Sequence, residues 1–115
     1  MPVFVSHSEA VHVETRDPIT PERAREVFAA VEGVVIQDDP SRSSYPLATE
    51  AAGSDDIFVG RVRTDPSIGG GRGLAFWVVS DNLRKGAATN AVQIAELLLK
   101  AGGAARGRGV AVKSA

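Results

Sequence analysis

The apolar positions of this chain follow two rhythms. Val11 and Val13 alternate with His12 and Glu14, and a period of two over residues 10–14 predicts a half-buried strand. Ala24, Val27, Phe28 and Val31 recur at helical spacing and predict one apolar helix face. That helix has a start signal: Thr20 can cap it, Pro21 suits a first position that needs no N–H, and Glu22 sits at the positive end of the dipole. Gly33 is its expected stop. Apolar runs at residues 2–5, 34–36 and 74–79 predict buried strands, and residues 57–63 a strand with a basic later half. Residues 38–56 are small and polar, with Pro40, Pro46 and Gly53, and predict a loop with one helical turn near residues 49–52. The sequence D-P-S-I-G-G-G-R-G at residues 65–73 predicts a turn that joins residues 61–63 and 74–79 as a hairpin.

Ser80 and Asp81 offer capping oxygens to a last helix over residues 83–100. Its polar stripe is Lys85, Thr89, Gln93, Glu96 and Lys100; the rest is mostly Ala, Val, Ile and Leu, a breadth that calls for packing partners on more than one side. Residues 102–115 are rich in Gly, Ala and Arg and predict a disordered tail. The order of elements predicts an α+β fold: a mixed or largely antiparallel sheet with helices on one face.

A chain of 115 residues is enough for one domain with a modest core. Its net charge of -1, from 13 basic and 14 acidic residues, gives no electrostatic reason to expect nucleic acid or a membrane surface as partner. The absence of cysteine excludes disulfides, thiolate metal sites and a cysteine nucleophile within these residues. The first residues lack a basic start followed by an apolar run, and no stretch approaches the ~20 apolar residues a membrane span needs, so the expected location is cytoplasmic.

Candidate chemistry is sparse. His7 follows an apolar run and is flanked by Ser6 and Ser8. An imidazole titrates near neutral pH and can act as general base; a histidine at a strand end can equally do no more than hydrogen-bond. His12, opposite in phase to Val11 and Val13, reads as an exposed polar position. Two histidines without cysteine make no zinc site, so no metal is expected. Ser6 and His7 are strand neighbours that point to opposite faces, not a triad. The glycines at 69, 70, 71 and 73 do not open a helix and so read as a hairpin loop, not a dinucleotide cradle. The segment S-D-N-L-R-K-G-A-A-T-N at residues 80–90 joins a strand to a helix start, where free N–H groups favour an anion or a ligand's polar edge. Asn82 could donate and accept there, or the segment could do no more than cap the helix beside a solvated Arg84–Lys85 pair.

Three segments carry a family resemblance. P-V-F-V-S-H-S-E-A-V-H-V-E, followed by P-I-T-P-E-R-A-R-E, resembles the catalytic-histidine region of aspartate-semialdehyde dehydrogenases. F-V-G-R-V-R-T-D-P-S is similar to another segment of that family, and W-V-V-S-D-N-L-R-K-G-A-A-T-N-A-V-Q-I-A-E-L-L resembles its closing helix. The resemblance runs over residues 2–99. It implies NADPH-linked reduction of L-aspartyl-4-phosphate to L-aspartate 4-semialdehyde, in lysine, threonine and methionine biosynthesis. It implies that His7 is the acid/base partner of a cysteine thiolate and that Asn82 contacts the NADP cofactor. It also implies a homodimer, through a domain similar to the C-terminal domain of glyceraldehyde-3-phosphate dehydrogenase.

The cysteine, the dinucleotide-binding glycines and the phosphate-binding residues would lie upstream of Met1, and the substrate-carboxylate arginine just ahead of it. The expected organisation is therefore residues 1–101 as a partial C-terminal dimerisation domain with its returning helix, residues 102–115 as tail, and the N-terminal NADP-binding domain absent. On this reading the chain is inactive alone and needs an N-terminal cysteine-bearing partner, as a fragment or a split subunit. The alternative is a non-enzymatic dimerisation or interaction module derived from the same fold.

Overall fold

The computed structural model describes residues 3–106 of the chain. Among them, β1 (His7–Glu14), β2 (Val34–Ile36), β3 (Ile57–Thr64) and β4 (Gly73–Ser80) form one sheet in the order β1-β4-β3-β2. The β1–β4 and β3–β4 pairs are antiparallel and β2–β3 is parallel, the mixed sheet expected of an α+β fold. The glycine-rich segment closes the β3–β4 hairpin, with the Asp65 N–H donating to the Gly73 carbonyl at 3.0 Å.

Helix α1 (Pro21–Ala29) starts as its sequence dictates, with Thr20 Oγ1 accepting the Arg23 N–H at 3.2 Å. It lays Ala24 on a core of Val59, Val62 and Leu74, with Val13, Phe28 and Phe76 packed around it. The Phe28 and Phe76 rings meet at 5.1 Å between centroids. Full burial of an aliphatic side chain of this size contributes about 1.5–3 kcal/mol, so this cluster accounts for much of the fold's stability. Of the predicted stripe only Ala24 is fully buried; Phe28 is partly buried, and Val27 and Val31 stay about half exposed. The helix stops at Ala29, and Gly33 instead takes a φ of +78° in the turn into β2.

The opposite face of the sheet carries a smaller core. Helix α2 (Ala48–Ala51), the single turn foreseen in the loop, sets Ala48 and Ala51 against Val79, with Phe58 and Trp77 alongside. Trp77 Nε1 donates to the Pro46 carbonyl at 3.2 Å, which ties the loop to β4.

One buried carboxylate organises the crossover from β2 to β3. Asp38 Oδ1 accepts the Arg61 N–H at 2.7 Å, and Asp38 Oδ2 accepts the Val62 N–H at 3.2 Å and Arg25 Nε at 2.7 Å. Arg25 also donates to the Val62 carbonyl at 2.8 Å. These bonds hold a bulge in β3, where the register with β4 shifts between Gly60 and Arg63 and Arg61 adopts a φ of +54°. Gly60 is required just before the bulge, since a Cβ there would lie 2.2 Å from the Gln37 carbonyl oxygen.

Three expectations need correction. Residues 3–5 form no strand, and Phe4 is fully exposed. The reason is register: β4 ends at Ser80, which pairs with His7, so no β4 residue remains to pair with anything earlier. The last helix does not run uniformly over residues 83–100. It opens as a π-helical turn at Arg84–Ala88 and continues as α3 (Thr89–Arg106). The Asp81 carbonyl accepts from both Lys85 and Gly86, and the second of these bonds spans the five-residue step of a π turn. Finally, α3 extends through residues 102–106, where a tail was expected; residues 107–115 lie outside the described residues.

Candidate functional site

His7 opens β1 and is exposed, which leaves the imidazole accessible from outside the domain. Its register partner is Ser80, the last residue of β4, and Asn82 follows two positions later. Sheet pairing thus brings together the two residues singled out at opposite ends of the sequence. The link is direct: the Ser6 N–H donates to Asn82 Oδ1 at 2.8 Å. A shallow pocket of about 220 Å³ is lined by Val3, Ser6, His7, Ser8 and Glu9.

The junction carrying Asn82 is tightly fixed. Asp81 is buried and is the cap of the following turn, with Oδ1 accepting the Leu83 and Arg84 N–H groups at 2.8 and 3.0 Å. Its Oδ2 accepts the Gly53 N–H at 2.7 Å. The Gly53 bond above all, helped by those to Arg84 and Leu83, holds its carboxyl below the usual carboxylate range. Ser80, expected to share the capping, ends β4 instead. Arg84 is not merely solvated: it forms a two-bond pair with Asp55, at 2.8 Å through both Nε and Nη2. Thr89 Oγ1 also donates to Asp55, at 3.0 Å. Arg84 first, then Thr89, pulls the Asp55 carboxyl down to about 2. Lys85 donates to Gln93 along the helix.

His12 is exposed as expected, but it is not idle. Its Nδ1 lies 2.6 Å from Oδ2 of the largely buried Asp65. Asp65 Oδ1 accepts from the Ser67 hydroxyl and N–H at 2.6 and 2.9 Å. The Ser67 hydroxyl first, then His12, draws the Asp65 carboxyl down to about 2. This arrangement braces the hairpin turn. Among the described residues no group of three or more His, Asp or Glu side chains is placed to hold a metal ion.

Sequence reasoning missed the Asp38 centre and the cavity beside it. That cavity, about 490 Å³, is lined by Asp38, Ser43, Tyr45, Arg61 and Arg63 among others, with the Arg61 guanidinium 5.9 Å from the Tyr45 ring centre. The bonds from the Arg61 and Val62 N–H groups to Asp38 cross more than twenty positions and come from backbone, so no local residue pattern signals them. A second open region lies along α3, where Leu97, Leu98 and Leu99 are each more than 60% exposed.

The described features are an exposed histidine at the end of an edge strand, an asparagine amide bonded to the residue before it, and a helix with exposed leucines. Residues 1–85 match the family described as semialdehyde dehydrogenase, dimerisation domain, and the chain belongs to that family. It is 53% identical over 102 residues to the aspartate-semialdehyde dehydrogenase of Aquifex aeolicus, covering 89% of this chain and 29% of that protein. Against the Legionella pneumophila aspartate-semialdehyde dehydrogenase it is 54% identical over 99 residues, 85% of this chain and 28% of that one. Among solved structures it resembles aspartate semialdehyde dehydrogenase II of Vibrio cholerae in complex with ASA, with a TM-score of 0.75 and 48% identity over 86% of this chain and 28% of that chain. The chain therefore spans less than a third of the length of these relatives.

Proposed function

We propose that the chain is the C-terminal part of an NADP-dependent aspartate-semialdehyde dehydrogenase, supplying the acid/base histidine and the dimer interface to a site completed elsewhere. The observation that carries this reading is the meeting of an exposed His7 with the Asn82 junction at one end of the sheet. The 115 residues include no cysteine, so the thiolate that attacks L-aspartyl-4-phosphate comes from another segment of polypeptide. His7 takes the proton of that thiol as the sulfur displaces phosphate and forms a thioester, and returns a proton to the sulfur when the reduced carbon leaves it as the semialdehyde. The cofactor, when bound, supplies the hydride. On this chain only Asn82 is assigned to it: Nδ2 of Asn82 has no hydrogen-bond partner among the described residues, and a free amide donor suits a carboxamide carbonyl. The role places the protein in the cytoplasm, in lysine, threonine and methionine biosynthesis, as a homodimer through this domain. Among the described residues no helix is long and apolar enough to cross a membrane.

The test is phosphate-dependent reduction of NADP with aspartate semialdehyde as substrate. The 115-residue chain alone is expected to give no turnover. Mixed with a separately produced N-terminal part bearing the cysteine, it is expected to give turnover that His7→Asn lowers about 10²- to 10⁴-fold. Turnover by the isolated chain, or full activity of the His7→Asn assembly, would refute the proposal.

A further inference from the structure

Ser6 is the one residue of the His7 region held in an unfavourable conformation. Its φ of +81° lies in the left-handed region, which strains a residue that carries a Cβ. Its side chain does nothing to hold it there: the residue is buried, and its hydroxyl has no hydrogen-bond partner among the described residues. What holds it is the 2.8 Å bond from its N–H to Asn82 Oδ1, across 76 positions of sequence. A backbone N–H can only donate, so the Asn82 atom facing it is the oxygen and the nitrogen is turned away.

His7 is the next residue and the first of β1, the outermost strand of the described sheet. The end residue of an outer strand is where a ladder frays first, and a fraying end would let the imidazole wander. The Ser6–Asn82 bond clamps the chain one residue outside the ladder. Asn82 in turn sits on a junction that Asp81 fixes through the Gly53, Leu83 and Arg84 N–H groups. Support therefore passes from the buried Asp81, through Asn82 and Ser6, to His7.

We infer that Asn82 is a positioning residue for His7: its oxygen locks the left-handed turn ahead of the imidazole while its nitrogen stays available to a ligand carbonyl. One amide then joins ligand binding to the placement of the general base. A ligand bound at the nitrogen restrains the same side chain that restrains Ser6. This rests on the acid/base reading of His7 and adds to it a specific route by which the histidine is held.

The experiment compares Asn82→Ala, which removes the acceptor, with Asn82→Asp, which keeps an acceptor oxygen but lacks the N–H₂ donor. In the 115-residue chain, hydrogen exchange at the Ser6 amide is expected to speed roughly tenfold in Asn82→Ala, the loss of about one hydrogen bond, and to return toward the original rate in Asn82→Asp. The His7 ring resonances should move toward unfolded-chain values in Asn82→Ala alone. The His12 ring, farther along the same strand and held by Asp65, should not move, which separates local loosening from unfolding. In the two-part assembly, Asn82→Ala should lower kcat as well as raise the KM for the cofactor, whereas Asn82→Asp should act mainly on that KM. Unchanged Ser6 exchange and His7 resonances in Asn82→Ala would overturn the inference. So would Asn82→Asp behaving in exchange like Asn82→Ala. If the assembly shows no turnover while the exchange results hold, the acid/base reading fails and the clamp stands.

Discussion

Asp38→Ala probes the part of the fold that local sequence does not announce. The change deletes the acceptor of three donors: the Arg61 N–H at 2.7 Å, the Val62 N–H at 3.2 Å and Arg25 Nε at 2.7 Å. The Asp38 side chain is only 3% exposed, so water does not simply replace it, whereas the Arg25 side chain is 29% exposed and is partly rehydrated. Hydrogen bonds to a charged group contribute about 1.5–3 kcal/mol each, and breaking a buried ion pair by removing one partner costs about 3–5 kcal/mol. Rehydration of Arg25 puts the expected loss near the lower end, about 3 kcal/mol, a large share of the ~5–15 kcal/mol typical of a domain. In urea this is a downward midpoint shift of roughly 1–3 M, followed by the fluorescence of the single tryptophan, Trp77. The positive φ of Arg61 adds a second signature: Arg61→Gly should recover part of the loss in the Asp38→Ala background, because glycine adopts that conformation without strain. A double-mutant cycle with Arg25→Ala should give a coupling of about 0.5–3 kcal/mol. A loss below about 1 kcal/mol together with strict additivity in the cycle would show that Asp38 does not hold the bulge.

Two further outcomes follow from the same structure. Gly60→Ala places a Cβ 2.2 Å from the Gln37 carbonyl oxygen and 2.5 Å from Pro46 Cδ, so backbone must move; a loss of roughly 1–3 kcal/mol or more is expected, read as a lower thermal midpoint. Acid should also destabilise the chain in a defined window. The Asp55 and Asp65 carboxyls fall from the usual 3.8 to about 2 in the folded state, so their contribution is complete above about pH 4 and disappears as pH falls toward 2. Asp65→Asn should flatten the pH dependence of the urea midpoint across that window, and an unchanged slope would count against the Asp65–Ser67–His12 arrangement.

Local chemistry announces the elements whose causes lie within a few residues. Thr20 and Pro21 start α1 where their capping and φ preferences require, and the Val11–Val13 alternation marks β1. Asp81 was readable as a cap, because an Asx side chain two and three residues before free N–H groups is a local pattern. What escaped was set by partners far along the chain. Val3 and Val5 have strand-forming side chains, but the β1–β4 register gives them nothing to pair with. The fate of residues 102–106 was misjudged because Gly102 and Gly103 weaken a helix without being bound to end one. His7 and Asn82 stand out as candidates from the residues around them, and the family resemblance is what proposes a role for each. The bond between Ser6 and Asn82, and the Asp38 centre, depend on tertiary pairing and appear only in the folded chain.

The strand order also sets an order of assembly. β3 and β4 are consecutive and joined by a short turn, so they can zip early, whereas β1 can join β4 only after every element between them has been laid down. The imidazole therefore cannot reach its place until β4 exists, and in synthesis it leaves the ribosome well before the strand that positions it. A chain cut short before β4 would carry every atom of His7 and none of its address.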